Sequence, residues 1–368
     1  MSPEAAAPAD PHAAARLRAR GLRLGFAVTG ALAVEALRGA DLPILAPMIA
    51  LQLLALSPQP PGAKLLAMLF GAAAVSSLVA WVIASFTVSI PGAYPLGMGV
   101  LYLWCFALAM HPKTGPLGAM ALTMTIVVGA LSAASTEAAA GIALSLLMSI
   151  LAGAATVYVA FAVFPAPPPP PAAAPVEPAE GEETPAQAAA ETAGDPVVAP
   201  AFRAALATMV MLPLHMWLTA DGGVAAMPVL FTCSSMLRQP GVAASLRDSL
   251  TRLAGTAAGG VAAMAANGIA QLHPQAALSV AVVATISMFF AWQLSKGPRH
   301  MQVWMPGFVT FLALYGMTLS PTLGGDDVAA VERLWQTAVG AGYTLCAVSL
   351  LAPVALRVTR RRAAASRA

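Results

Sequence analysis

The chain has 368 residues, of which 59% are hydrophobic and only 10% are charged, and its mean hydropathy is +0.77. In soluble domains roughly a quarter of all residues are charged. The much lower charged fraction of this chain excludes an ordinary soluble protein and predicts an all-α membrane protein. The net charge of +3 gives no indication of a nucleic-acid partner. The cysteines Cys105, Cys233 and Cys346 each lie in an apolar run and have no disulfide or metal-binding spacing.

Residues 1–20 form a polar tail that ends in arginines, and apolar runs of membrane-helix character follow it. In the first half the runs are 22–37, 42–56, 64–88, 94–110, 116–133 and 140–164, and in the second half they are 202–220, 223–237, 249–271, 276–294, 302–319 and 333–356. The sequence therefore predicts about twelve transmembrane helices. The first run also fits a secretory signal, but a matching segment at 202–220, which cannot be a signal, argues against this.

The segment 165–200 divides the chain. It contains five consecutive prolines and several acids, which neither continue a helix nor bury apolar surface, so an extended solvated linker is expected. The predicted organisation is a cytoplasmic tail (1–20), a first six-helix membrane repeat (21–164), the linker (165–200), a second six-helix repeat (201–356) and a basic cytoplasmic tail (357–368).

The positions of the basic residues predict the orientation. With the amino terminus in the cytoplasm, seventeen of the nineteen Lys and Arg residues lie on the cytoplasmic side, and only Arg38 and Arg333 lie outside. This distribution follows the positive-inside rule. Both termini and the linker are then cytoplasmic, in the bacterial inner membrane.

The two halves also align with each other at an offset of about 180 to 188 residues. Five matches occur in the same order: Ala40-Asp41 with Ala220-Asp221, Pro47 with Pro228, Gly71 with Gly255, Lys113 with Lys296, and Pro165 with Pro353. This pattern predicts two parallel repeats, an architecture in which transporters place the substrate path between the copies.

The residue patterns exclude several kinds of chemistry. The sequence has no phosphate-binding loop, no H-E-x-x-H and no nucleophile elbow, so neither an enzyme nor a cofactor is predicted.

What remains are ionisable residues inside apolar runs, of which Glu35 and His215 fall on equivalent positions in the alignment. A carboxylate and an imidazole that faced each other between the repeats would share or relay a proton. The alternatives are a Glu35 paired with Arg38 and a His215 that is a satisfied packing residue.

Two further groups of candidates lie near the ends of the helices. Asp41 and Asp221 are matched acids at the predicted outer mouth, where gating and simple solvation are equally good interpretations. A basic rim is predicted at the inner side, where it would attract organic anions or simply follow from the topology rule. Its members are His111, Lys113, Lys296, Arg299 and His300.

Two stretches of the second half carry a family resemblance: SLRDSLTRLAGTAAGGVAA and ERLWQTAVGAGYTLCAVSLLAP. They resemble the R-x-x-G-T-x-x-G element and the closing helix of the fusaric acid resistance, or aromatic acid exporter, superfamily. The element carries over onto Arg252, Gly255, Thr256 and Gly259, with a structural role. The first half lacks this motif, and the large cytoplasmic domain of longer members shrinks here to the linker, so the chain resembles a short branch of the group.

The resemblance implies proton-driven export of aromatic carboxylic acids or related small organic compounds across the inner membrane. It also implies, as partners, a periplasmic membrane-fusion adaptor and an outer-membrane channel. Two alternatives stay open. A major-facilitator transporter has a similar six-plus-six plan, although its characteristic G-x-x-x-D-R-x-G-R-R type loop is absent from SPQPPGAK. A membrane scaffold or assembly subunit would have no substrate path of its own.

Overall fold

The computed structural model describes most of both membrane halves, and the linker and the ends of the chain lie outside the described residues. The structure describes residues 13–40, 43–56, 59–90, 92–111, 113–165, 200–220, 227–238, 242–272, 276–318, 335–336, 338–340, 342–347 and 349–350. Within these ranges the chain is helical, with short connections and no strand. The predicted all-α class is therefore confirmed for the described part of the chain.

The helices follow the predicted apolar runs in order. Those of the first half are α1 Ala13–Arg38, α2 Leu45–Leu56, α3 Ala63–Thr87, α4 Ala93–Met110, α5 Gly115–Ala134 and α6 Thr136–Val163. Those of the second half are α7 Pro200–Ala220, α8 Met227–Leu237, α9 Val242–Leu272, α10 Ala276–Ser295 and α11 Pro298–Thr318. A shorter apolar helix, Ala338–Ala347, follows them among the described residues.

Among the described residues, seven helices are long and apolar enough to cross a membrane: α3 to α7, α9 and α10. Their outer faces expose large apolar side chains such as Leu78, Leu96 and Met209, at 59%, 71% and 65%. Apolar surface of this extent is costly in water but not in lipid, so the fold is that of a multi-pass membrane protein.

Some helices begin earlier than the apolar runs predict. α1 begins at Ala13, inside the segment predicted as a tail, and α9 begins at Val242 rather than near residue 249. The added turns contain Ala, Leu and Arg, which are good helix formers, so the helix continues beyond the apolar stretch. At its other end α1 stops at Gly39, whose φ of +61° suits glycine. There Ala40 N–H donates to the Glu35 carbonyl at 3.1 Å and Gly39 N–H to the Ala36 carbonyl at 3.2 Å, which is the Schellman arrangement.

The helices of the two halves pack in corresponding pairs. In the first half α3 packs against α5 and α4 against α5; in the second half α9 packs against α11 and α10 against α11. Among the described helices, the halves touch each other mainly through two pairs, α1 with α10 and α4 with α7, and less extensively through α5 with α7, α5 with α8 and α2 with α11. Counted within each half, both main contacts join a first helix to a fourth helix.

Several basic residues meet at one end of the bundle. A Cβ on Gly21, one turn after Arg18, would lie 3.7 Å from the Ser295 hydroxyl, so the arginine-rich start of α1 lies beside the end of α10 and Lys296. On the other pair of helices, Arg203 Nη2 donates to the Arg238 carbonyl at 3.2 Å. This grouping agrees with the side that the charge pattern predicts to be cytoplasmic.

A seam of three glycines joins α9 to α11. A Cβ on Gly255 would overlap the Val303 carbonyl, one on Gly259 would overlap the Gly307 carbonyl, and one on Gly307 would lie 2.6 Å from the Gly255 carbonyl. Small residues let helix backbones approach closely in lipid, where dispersion rather than water exclusion holds helices together. The Gly255 and Gly259 positions of the predicted motif are thus packing positions.

This seam predicts the effect of a single methyl group. Gly259→Ala forces α9 and α11 apart and lowers the stability of the protein by about 1–3 kcal/mol, as overpacking does. Gly268→Ala is the matched control, because a Cβ on Gly268 in the same helix meets nothing within 4 Å. The measurement is thermal unfolding in detergent. An equal melting temperature for Gly259→Ala and the wild type would contradict the prediction.

Candidate functional site

The site centres on His215 of α7, where the second half meets α4 of the first half. α4 turns one face inward, with Tyr94, Met98 and Tyr102 among its buried residues. Tyr94 and Tyr102 are eight residues apart, about 12 Å along the helix, and so occupy the same face two turns apart. On α7, Pro213 lies inside the helix two residues before His215 and removes a backbone donor from the helical ladder.

Both nitrogens of His215 have tyrosine partners, although the imidazole is fully buried. Tyr94 Oη lies 3.2 Å from Nε2, and Tyr102 Oη lies 3.0 Å from Nδ1. The Tyr102 ring also packs edge-on against the imidazole, with centroids 5.5 Å apart. We call His215, Tyr94 and Tyr102 the inter-half cluster, since one member comes from the second half and two come from the first.

The hydrogen bonds fix the tautomer of the histidine. Tyr94 Oη donates its hydrogen to the Gly129 carbonyl of α5 at 2.9 Å. Its oxygen is therefore an acceptor toward His215, which must donate from Nε2. Since a neutral imidazole carries only one N–H, Nδ1 accepts the hydrogen of Tyr102. In this arrangement every polar group of the cluster is paired and His215 is uncharged.

Glu35 occupies a separate place near the end of α1. Its side chain is fully buried, and Oε1 accepts a hydrogen bond from Arg38 Nη1 at 3.1 Å. Ser149 of α6 lies beside the carboxyl, but its hydroxyl donates to the Ser145 carbonyl at 3.0 Å. Within the described part of the chain, Oε2 has no hydrogen-bond partner. The carboxyl thus has one oxygen in an ion pair and one buried oxygen with a place for a proton.

The structure places Glu35 and His215 among different neighbours. Across the described helices, α1 packs closely against α2, α6 and α10, whereas α7 packs against α4, α5 and α8. The arrangement gives each residue its own polar surroundings, Arg38 and Ser149 for Glu35 and the two tyrosines for His215. A direct exchange of a proton between them is therefore not what this geometry favours.

The remaining predicted residues lie at several places. On the predicted basic rim, His111, Lys113, Lys296 and His300 are exposed, and Lys296 Nζ donates to Gln293 Oε1 at 2.8 Å. Thr256 is buried in α9 beside the glycine seam. Asp41 and Asp221 fall outside the described residues, and so do the side chains of Arg252 and Arg299.

Sequence reasoning missed three functional candidates. Tyr94 could have been recognised as a candidate from the sequence, because it shares a helical face with Tyr102 in an otherwise apolar helix. Arg23 and Arg203 lie at the same offset of 180 that relates Glu35 to His215. Arg23 is buried, its Nε donates to the Ala19 carbonyl at 3.1 Å, and its guanidinium lies 4.6 Å from the centre of the Phe161 ring. Arg203 is half-buried, so the two arginines place partly or fully buried positive charge near the cytoplasmic end predicted for each half.

Residues 204–347 match the family described as fusaric acid resistance protein-like. The matched region includes the glycine seam, His215 and the apolar helix Ala338–Ala347. The resemblance predicted from Arg252, Gly255, Thr256 and Gly259 is thereby confirmed for the second half of the chain. No significant match was found among curated proteins or among solved structures.

The tautomer of His215 can be tested directly. In protein labelled with ¹⁵N-histidine, the His215 signals should show a protonated Nε2 and an unprotonated, hydrogen-bonded Nδ1. Tyr102→Phe should shift the Nδ1 signal and Tyr94→Phe the Nε2 signal, and each should lower stability by about 1–3 kcal/mol by leaving a buried polar group unpaired.

Tyr158→Phe is the matched control, since Tyr158 Oη donates to the Pro61 carbonyl far from the cluster. His215→Ala assigns the signals among the five histidines of the chain. A protonated Nδ1 in the wild-type protein, or Nδ1 and Nε2 signals unchanged in both cluster variants, would contradict the assignment.

Proposed function

We propose that the protein is a transporter of the bacterial inner membrane that exports aromatic carboxylic acids or related small organic acids, driven by protons. The observation that carries the proposal is the buried inter-half cluster, in which His215 of the second half is held by Tyr94 and Tyr102 of the first. Transporters built from repeats place their sites at the interface between the repeats, and ionisable residues inside spans mark transport pathways. The family matched by residues 204–347 supports a role in membrane transport.

The proposed architecture is two parallel repeats of six helices, with the linker and both termini in the cytoplasm. The corresponding pairs α3–α5 and α9–α11 support it, and so do the reciprocal contacts α1–α10 and α4–α7. A sixth helix in the second half is supported by the segment Ala338–Ala347. In that segment Tyr343 Oη donates to the Val210 carbonyl at 2.9 Å, as expected if the segment packs on α7 in the way that α6 packs on α1.

In the proposed mechanism Glu35 and His215 couple transport to protons at two separate places. A proton on the buried Oε2 of Glu35 cancels the negative charge that holds Arg38 and so weakens that ion pair. Movement of one half against the other changes the α4–α7 contact. His215 then loses its hydrogen bonds to Tyr94 and Tyr102 and must bond to other partners or take up a proton. The hydrogen bonds of the cluster thus hold α4 of the first half and α7 of the second half together until His215 changes partners.

The substrate path is proposed to run between the halves, from the inner basic rim of His111, Lys113, Lys296, Arg299 and His300 to the outer mouth with Asp41 and Asp221. The rim would concentrate organic anions at the cytoplasmic side. A periplasmic membrane-fusion adaptor and an outer-membrane channel are the proposed partners beyond that mouth. The chain itself carries no catalytic step in this proposal.

Transport in liposomes tests the proposal. Purified protein in liposomes should move aromatic carboxylic acids when a pH gradient is imposed, and dissipating the gradient should stop this movement. Glu35→Gln and His215→Ala should each lower the gradient-driven rate by about tenfold or more, the effect of losing about 1.4 kcal/mol of coupling. The matched controls are Glu137→Gln and His273→Ala, which replace the same residue types outside the proposed sites and should keep the wild-type rate.

Two results would contradict the proposal in different ways. Full gradient-driven transport by well-expressed Glu35→Gln and His215→Ala variants would exclude these residues from proton coupling. No movement of any acid by the wild-type protein, with or without an adaptor, would favour the membrane scaffold, in which His215 is only a packing residue.

A further inference from the structure

An open groove of about 760 Å³ runs between α1 and α10 at the end of the bundle where the basic residues gather. Its walls are formed by Gly21 and Leu22 of α1 and by Thr285, Phe289 and Trp292 of α10, and Arg18 lies at its end. Thr285 and Trp292 are seven residues apart, so the groove extends about 10 Å along the helices. It is an apolar groove with one positive charge.

The groove opens sideways, away from the bundle. Leu22, Phe289 and Trp292 on its rim keep 39%, 49% and 44% of their surface exposed. α10 is one of the helices apolar enough to cross a membrane, so its exposed Phe289 and Trp292 side chains face the bilayer rather than water. A trough that is open to lipid along its length admits a flexible chain and does not enclose a small soluble molecule.

Two observations mark the end of the groove as the membrane surface. Arg18 lies one turn before Gly21, which packs near Ser295 at the last residue of α10, and Lys296 follows immediately. Trp292 lies one turn earlier, and tryptophan is enriched at the level of the lipid headgroups. An anionic headgroup at Arg18 with its acyl chain along Phe289 would therefore match both the charge and the depth of the groove.

We propose that this groove binds an anionic phospholipid, with the phosphate at Arg18 and one acyl chain between α1 and α10. Basic sites between transmembrane helices on the cytoplasmic side bind anionic headgroups by the same chemistry. Because α1 belongs to the first half and α10 to the second, the lipid contacts both halves and stabilises their association by mass action. This site is independent of the transported compound.

Fluorescence quenching by brominated lipids tests the site in the full-length protein. The protein is reconstituted in mixed bilayers of phosphatidylglycerol and phosphatidylcholine, in which one lipid or the other carries bromine on its acyl chains. The signal of Trp292 is the difference between the wild type and Trp292→Phe. The wild type should prefer phosphatidylglycerol at Trp292 by about fivefold, the effect of one nearby arginine.

Two variants separate the groove from general surface charge. Ala284 of α10 also lines the groove, so Ala284→Phe fills it and keeps every charge. Arg18→Gln and Ala284→Phe should each reduce the preference to about one, where neither lipid is favoured over the other. Arg16→Gln removes a charge from the same helix but not from the groove, and should keep the preference. Equal quenching by both lipids in the wild type would overturn the proposal. It would also be overturned if Arg16→Gln had the same effect as Arg18→Gln, or if a second copy of the chain or another membrane helix shielded Trp292 from both lipids.

Discussion

A histidine buried inside a membrane-embedded bundle must find its hydrogen-bond partners within the protein, because no water is available to replace them. His215 finds both partners on one helix of the other half, Tyr94 and Tyr102 of α4. This requirement fixes the position of α7 along α4 and its rotation about its own axis. It also fixes α5, since Tyr94 meets the requirement only by passing its own hydrogen to the Gly129 carbonyl.

The contact between α1 and α10 occupies the corresponding place on the other side of the bundle but is built differently. Gly25 lies against Met288 and Gly21 against the backbone at Trp292, so these helices approach through small residues and apolar side chains. Opening the α4–α7 contact leaves buried polar groups without partners, whereas opening the α1–α10 contact exchanges protein for lipid at little cost. The α4–α7 and α1–α10 contacts therefore differ in the free energy needed to separate them, although they join corresponding helices.

Hydrophobic runs and charge were sufficient to predict the class of the fold and the order of the helices, since lipid imposes the length and composition of each span. The packing role of Gly255 and Gly259 could also be predicted from the sequence motif, because only glycine permits the close contact with Gly307. The start of α1 at Ala13 could not be predicted from the apolar run, because good helix formers extend the helix before that run begins. Tyr94 was missed because a tyrosine in an apolar helix usually reads as a packing or interface residue, and only the fold shows that it shares a histidine with Tyr102.

The alignment of the two halves makes Glu35 and His215 equivalent in sequence, but it does not place them close together in the structure. Positions that align between two halves meet only if both lie where the halves face each other, and α1 and α7 each pack instead against the fourth helix of the opposite half. Similar positions have consequently acquired different surroundings, an ion pair with Arg38 for the carboxylate and two tyrosines for the imidazole. Of these two residues, only Glu35 has a buried oxygen with no hydrogen-bond partner in the described part of the chain, while both ring nitrogens of His215 have tyrosine partners. Oε2 of Glu35 is thus a buried acceptor without a partner among the described residues, whereas a proton added to His215 would have to displace a hydrogen bond of the α4–α7 contact.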